Sequence, residues 1–281
     1  MGTETYDYII VGAGSAGCVL ANHLSEDPDC RVLLLEAGGR DRSPYIHMPA
    51  GLPKLVNKLA LNWNYYTEPQ AQLDNRRLWW PRGKVLGGSS AINAMCYTRG
   101  QPEDYDHWAE LGNSGWSWKD VLPWFRKAER NIRGGNEFHG DNGPLSVSDL
   151  EYHHPLSDAF IDAGVEAGFP RNDDFNGPQQ EGVGLYQVTQ RDGRRCSSAT
   201  AYLHPVKSRH NLTVLTGALT ERILLDGHRA IGVEVQHGGQ HRQFRANAEV
   251  ICSGGAINSP QLLMLSGIGE RNDLRAAGIE P

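Results

Sequence analysis

Apolar positions in this chain come in short runs cut by glycine and proline. Tyr8-Ile-Ile-Val11 and Val32-Leu-Leu-Leu35 are four-residue apolar blocks, too short for helices and flanked by turn formers. Both are predicted as strands buried on two faces, the pattern of a parallel sheet. A helical pattern runs between them, from Ser15 to about Leu24. From Arg40 to Leu78 no period is sustained, and Pro44, Pro49, Pro53 and Pro69 punctuate a loop-rich stretch. Ser117-Trp-Lys-Asp120 has the form of a helix start. The tryptophans around it, Trp108, Trp116, Trp118 and Trp124, are read as core and lid packing. Leu156, Phe160, Ile161 and Val165 recur at helical spacing, and Gly168 with Pro170 ends that helix. Gly184 to Gln190 alternates like a strand, and Arg194 to Tyr202 reads as helical. Asn211–Thr216, Ala230–Val235 and Glu249–Cys252 are predicted as strands returning to the first sheet.

Composition narrows the classes of function. The 281 residues are 39% hydrophobic with 33 glycines, which suits one large or two smaller α/β domains with many tight turns. A net charge of −6 and the lack of a basic block argue against nucleic-acid binding. The five cysteines include no C-x-x-C, and Cys18 and Cys252 have apolar surroundings, which fits a reduced, cytoplasmic-type compartment. No apolar run reaches the ~18 residues of a spanning helix. The N-terminus reads as short and acidic rather than as a signal peptide, and Tyr6 spoils the acylation pattern that Met1-Gly2 begins. Peripheral association with a membrane stays open. His153-His154 has no partner at ligand spacing, so no metal site is expected. Asn211-Leu-Thr213 matches a glycosylation sequon but starts a predicted strand, and is discounted.

Chemistry enters at the glycines. The first strand runs into Gly12-x-Gly14-x-x-Gly17, with Ser15 opening the helix, and Glu36 ends the second strand 19 residues after Gly17. Gly12 permits the tight turn, Gly14 lets a pyrophosphate approach the backbone, and Gly17 lets helix pack on strand. The helix N-terminus offers unpaired N–H groups to phosphate, and Glu36 can accept ribose hydroxyls. An ordinary glycine-rich turn is the competing reading. A second donor-rich loop, Gly87-Gly-Ser-Ser90, opens a predicted helix near Ala91, with Arg82 and Lys84 just before it. It suits either a phosphate-bearing cofactor or an unrelated helix cap. The aromatic cluster Asn62-Trp-Asn-Tyr-Tyr66 suits either a cover for a planar ring or plain core.

Two longer segments are more specific. Gly83-Lys-Val-Leu-Gly-Gly-Ser-Ser-Ala-Ile-Asn93 resembles the first signature of the glucose–methanol–choline (GMC) flavoprotein oxidoreductases, and Gly255-Ala-Ile-Asn-Ser-Pro-Gln-Leu-Leu-Met-Leu-Ser-Gly-Ile-Gly269 resembles their second. The similarity runs from Tyr6 to Pro281. Ile46-His-Met-Pro49, Leu61-Asn-Trp63, Gly143–Asp149 and Gly182–Gln190 look most like membrane-associated alkanol dehydrogenases. Choline and polyglycol dehydrogenases share much of this pattern.

The resemblance implies FAD-dependent oxidation of a primary alcohol to an aldehyde, of choline or aliphatic alkanol type. Gly12, Gly14, Gly17 and Glu36 would hold the ADP half, and Arg82, Gly87, Gly88, Ser89 and Asn93 the pyrophosphate and isoalloxazine. Ser15, Ala37, Trp63, Ala94 and Met95 would also bind the cofactor. Thr220 matches a backbone position at the adenine, and the Ser253-Gly254 turn lies beside the flavin. Some relatives attach FAD through a histidine where this chain has Ile92, so non-covalent FAD is expected. The family's proton-accepting histidine lies farther toward the C-terminus than Pro281. No catalytic residue is therefore assigned, and residues 1–281 alone are expected to be inactive. The electron acceptor implied is a quinone or artificial acceptor, and the expected location is the cytoplasm, in association with the inner membrane.

The expected architecture is α/β: a Rossmann-like FAD-binding domain in two parts, 1–150 and 207–281, with an inserted α+β substrate-domain segment at 151–206. The C-terminal half of the family fold is absent from the sequence. The competing function is a non-enzymatic flavin-binding fragment completed by another chain. An NAD-linked dehydrogenase would share the first motif and Glu36, but would have no use for the loop at Gly87-Gly88 or for Gly255–Gly269.

Overall fold

The computed structural model describes residues 4–56 and 58–281, so the Met1-Gly2 of the acylation pattern lies outside the described residues. Two compact units form, one from Met1–Asn93 with Ser197–Pro281, the other from Ala94–Cys196.

The first unit is built on a six-stranded sheet. Its strands are β1 (Glu4–Val11), β2 (Val32–Glu36), β3 (Leu212–Thr216), β4 (Ala218–Asp226), β5 (Arg229–His237) and β6 (Gln240–Cys252), ordered β4-β5-β6-β1-β2-β3. Strands β6, β1, β2 and β3 run parallel, while β4 and β5 add antiparallel at one edge. The short apolar runs lie at the centre because each must bury both faces. Ile9 pairs with Leu33 and Val250, and Ile10 with Leu34 and Ile251. Ile9, Leu33 and Leu35 pack with Val233, Val235 and Phe244 in one core. Helix α1 (Ser15–Leu24) returns the chain from β1 to β2, burying Cys18 and Ala21. Asn211 is buried, and its amide donates to the carbonyls of Ser25, Asp27 and Cys30, so the sequon is a structural tie rather than a surface acceptor. Helices α2 (Gly255–Leu265) and α3 (Arg271–Ala276) follow β6. A second core, of Ile46, Leu55, Leu61, Val85, Ala91 and Ile92, lies under the loop-rich stretch, which forms short helical turns.

Several expectations are corrected here. The helix expected near Ala91 is a single 3-10 turn, Gly88–Ala91, because Gly87 and Gly88 both take positive φ. Strand β4 has no counterpart among the expected strands. Its pairing with β5 shifts between Thr220 and Arg222, a bulge that breaks the alternation a strand would show. β6 starts nine residues before the predicted Glu249, its polar first half being an antiparallel partner of β5.

In the second unit, helices span Pro102–Glu110, Trp118–Ala128 and Pro155–Glu166. The start at Ser117 is as expected, and its hydroxyl donates to Asp120 at 2.5 Å. Trp108, Trp116 and Trp124 are 45%, 53% and 66% exposed, so they are not core. Tyr105 takes that place, packed against Trp108, Trp118 and Phe125. Of the helical apolar stripe only Ile161 is buried. Gly184–Gln190 is no continuous strand and makes only isolated bridges at Val188 before the short strand Gln190–Arg191. Arg194–Tyr202 is not one helix but a two-residue strand, Arg194–Arg195, and a π-helical turn at Ala199–Leu203.

The units also divide elsewhere than at residues 150 and 206. Residues 94–150 pack with 151–196 because buried polar groups tie them. Arg99 donates to Glu129 at 2.7 Å, and its backbone N–H to Asn176 at 2.7 Å. His139 bridges Glu129 and Asp174, each at 2.9 Å.

Candidate functional site

At the C-terminal ends of β1, β2 and β6 three backbone loops meet almost without side chains. Gly12 has φ +100, and a Cβ there would lie 2.6 Å from the Ser253 carbonyl oxygen. A Cβ on Gly17 would lie 1.9 Å from the Gly12 oxygen, and one on Gly88 2.7 Å from Gly14 Cα. The Gly87 N–H donates to the Ala13 oxygen at 2.8 Å. Only glycine allows this three-way approach. Gly14 differs, since a Cβ there would meet nothing nearer than the Ser253 oxygen at 4.0 Å. Its open side belongs to a cavity of about 1040 Å³.

Two helices start at this cavity, α1 after Gly14 and α2 after Gly254, and neither has a side-chain cap or an acidic residue in its first turn. Their first N–H groups and positive dipole ends are available to an anion. The Thr220 hydroxyl oxygen is buried and has no hydrogen-bond partner among the described residues, although Thr220 lines the cavity. The open side at Gly14, the uncapped helix starts and this orphaned hydroxyl fit an extended phosphate-bearing ligand of dinucleotide size.

Glu36 ends β2 at the cavity wall and is 6% exposed. One carboxylate oxygen accepts the Ala13 N–H at 3.0 Å, the other the Gly38 N–H at 2.8 Å. Burial pushes its carboxyl up to about 7, against the opposite pull of those two N–H groups and of Lys84. Glu36 thus pins the glycine loop while keeping lone pairs for a ligand. Lys84 places its ammonium 4.4 Å from the Trp63 ring centre, and Trp63 stacks on Tyr65 at 5.9 Å.

Of the residues singled out from sequence, Gly12, Gly14, Ser15, Glu36, Ala37, Trp63, Arg82, Gly88, Ser89, Thr220, Ser253 and Gly254 line the cavity. Gly17 and Gly87 lie behind it as backbone spacers. Asn93 is exposed and donates its N–H to the Ser89 oxygen at 2.9 Å. Ala94 and Met95 belong to the second unit, where Met95 is buried and accepts the Thr189 N–H at 2.9 Å. Tyr65, from the aromatic cluster that suits either a ring cover or plain core, also lines the cavity, whereas sequence reasoning missed Leu219, Glu221 and Asn258. Asn258 lies within the second signature and donates to the Tyr65 hydroxyl at 2.9 Å. No single-sequence pattern marks that pairing across 193 positions.

No histidine lines the cavity among the described residues. His154 serves as a helix N-cap, accepting the Leu156 N–H at 3.2 Å. Glu221, Glu234 and His241 bring ligand-type atoms within 4.8 Å of one another, yet Arg222 and Gln243 already hold Glu234.

A family model described as GMC oxidoreductase matches residues 6–277. The alcohol dehydrogenase (acceptor) of Pseudomonas putida is 53% identical over 277 residues, covering 98% of this chain and 50% of that protein. The mitochondrial choline dehydrogenase of Mus musculus is 51% identical over 286 residues, covering 99% and 48%. Among solved structures, pyridoxine 4-oxidase from Mesorbium loti superposes with a TM-score of 0.94 at 41% identity, over 98% of this chain and 54% of its own. An FAD-dependent oxidoreductase from Chaetomium thermophilum gives 0.90 at 33% identity, over 98% and 49%. The chain spans about half the length of the curated relatives it matches. With the family model running over nearly all of its residues, the protein belongs to the GMC oxidoreductases.

Proposed function

We propose that this chain forms the FAD-binding part of an enzyme that oxidises a primary alcohol, choline or an aliphatic alkanol, to its aldehyde. The observation that carries the reading is the cavity in which the Gly12–Gly14 loop, the Gly88-Ser89 loop and the start of α2 meet beside Glu36. The identity of about 50% to an alcohol dehydrogenase and a choline dehydrogenase supports the substrate class and disfavours a non-enzymatic flavin fragment. When bound, FAD supplies the two-electron acceptor for the substrate's hydride. The first N–H groups of α1 and α2 and the Arg82 guanidinium hold the phosphate charges. Glu36 accepts the ribose hydroxyls, and Trp63 with Tyr65 walls the cavity. Ile92 is buried in an apolar cluster and offers no nucleophile, which supports non-covalent binding. The Trp108, Trp116 and Leu111 side chains stand exposed, which suits peripheral placement at the inner membrane. No helix among the described residues is long and apolar enough to cross a membrane.

The test is reconstitution of residues 1–281 with FAD, followed by acid precipitation and an alkanol and choline assay with an artificial acceptor. Flavin bound by the folded chain and released by acid, with no turnover by 1–281 alone, is the expected result. General-base help is typically worth ~10²–10⁴ in rate, and no histidine lines the cavity among the described residues. Absence of flavin binding refutes the reading, flavin retained in the precipitate refutes non-covalent attachment, and turnover reveals a base within this chain.

A further inference from the structure

Behind the cavity wall lies Asn62, 4% exposed and not itself a lining residue. Its carboxamide oxygen accepts two backbone N–H groups, from Asn64 at 2.9 Å and from Arg82 at 3.0 Å. The first bond bends the chain locally, and Asn64 takes a left-handed φ of 57. The second bond crosses to another segment. On either side of it the Trp63 N–H donates to the Arg82 oxygen and the Lys84 N–H to the Leu61 oxygen, both at 2.9 Å. Trp79 adds an indole N–H to the Asn64 side-chain oxygen at 2.8 Å.

The two segments so joined are the ones that present Trp63 and Tyr65 on one side and Arg82 and Gly83 on the other to the cavity. The amide nitrogen of Asn62 is buried and has no hydrogen-bond partner among the described residues, so the oxygen alone does the tying. We infer that Asn62 is a positioning residue of the cavity: its side-chain oxygen sets the Trp63–Tyr65 wall against the Arg82–Gly83 wall, and so shapes the space for bound FAD. The inference rests on the reading of the cavity as a flavin site. Removing the oxygen leaves two N–H groups, one on each wall segment, without that acceptor, and the walls can then settle into other arrangements.

The experiment compares wild-type chain with Asn62→Ala and Asn62→Asp. FAD and ADP affinities are measured by titration, and the visible circular dichroism of bound flavin is recorded. Alanine is expected to weaken FAD at least tenfold and to alter the dichroism, while ADP, held by the Gly12–Glu36 side, binds within about threefold of wild type. Aspartate keeps the acceptor and is expected to restore FAD binding to within about threefold. Equal FAD affinity in wild type and Asn62→Ala overturns the inference and leaves the flavin reading standing. Parallel loss of FAD and ADP overturns it too, because it marks a general loss of fold. If the alanine variant does not fold, aspartate decides alone, and a tenfold loss there refutes the role. A wild-type chain that binds ADP but no FAD overturns both.

Discussion

Measuring FAD affinity against pH tests the role of Glu36. Its carboxyl moves from an ordinary 4.5 to about 7, chiefly because burial disfavours the charged form. The folded chain therefore holds a proton that the unfolded chain has released. The contribution to stability is fully present below about 4.5 and is lost as pH rises through about 7. At 1.36 kcal/mol per pH unit the loss amounts to about 3 kcal/mol. Flavin binding runs the other way. Ribose hydroxyls donate best to the ionised carboxylate, so a bound dinucleotide expels the proton. Affinity should then fall toward tenfold per pH unit below about 7 and level off above it. Glu36→Gln removes the titration. It also strands one of the two N–H groups, from Ala13 or Gly38, at a cost of about 1–3 kcal/mol. The assay is quenching of flavin fluorescence from about pH 5 to 9, with thermal melts alongside. A wild-type affinity flat over that range, or an equal slope in Glu36→Gln, would refute the argument.

Glycine substitutions should separate ligand approach from folding. Gly14→Ala, with 4.0 Å of room against Ser253, should keep the wild-type melting temperature and lose FAD at least tenfold, whereas Gly17→Ala, 1.9 Å from the Gly12 oxygen, should lower stability by at least ~1–3 kcal/mol, read by urea unfolding. In the second unit, hydrogen bonds to Asp174 and Glu129 raise the His139 ring from 6.5 to about 9. Its stabilisation is therefore present below about 6.5 and lost as pH rises through about 9, a change of up to about 3 kcal/mol, reduced by solvent at the one-third-exposed Asp174. The difference in melting temperature between wild type and His139→Gln should shrink as pH rises through about 9, and a constant difference would contradict the ion-pair account.

The central sheet was legible because burial on both faces leaves no polar position in the apolar runs of β1 and β2, and the glycines from Gly12 to Gly17 dictate a tight turn into a helix. The expected helix from Ser15 to Leu24 matches α1. Strand β4 was not legible. Its bulge at Glu221 puts two residues against one, so the period that betrays a strand fails at the residues that line the cavity. The tryptophans misled for a different reason. Hydrophobicity says that Trp108 and Trp116 gain from cover, but not that Tyr105 occupies the centre of that cluster. The boundary at residue 94 was hidden as well. Arg99, Glu129, His139 and Asp174 look like scattered surface charges until the fold closes them into one buried network.

The three interlocked loops also set a schedule. Gly12 leaves the ribosome early, but the backbone it rests against, Ser253, is synthesised 241 residues later. Until then β1 lacks its neighbour β6, and the mouth of the glycine loop has no opposite wall. Cofactor capture thus waits until Ser253 has been made, and earlier encounters with a nucleotide find only half a cradle. A premature stop anywhere before residue 253 yields a polypeptide with the glycine motif and the Gly87-Gly88 loop but without the backbone that Gly12 packs against.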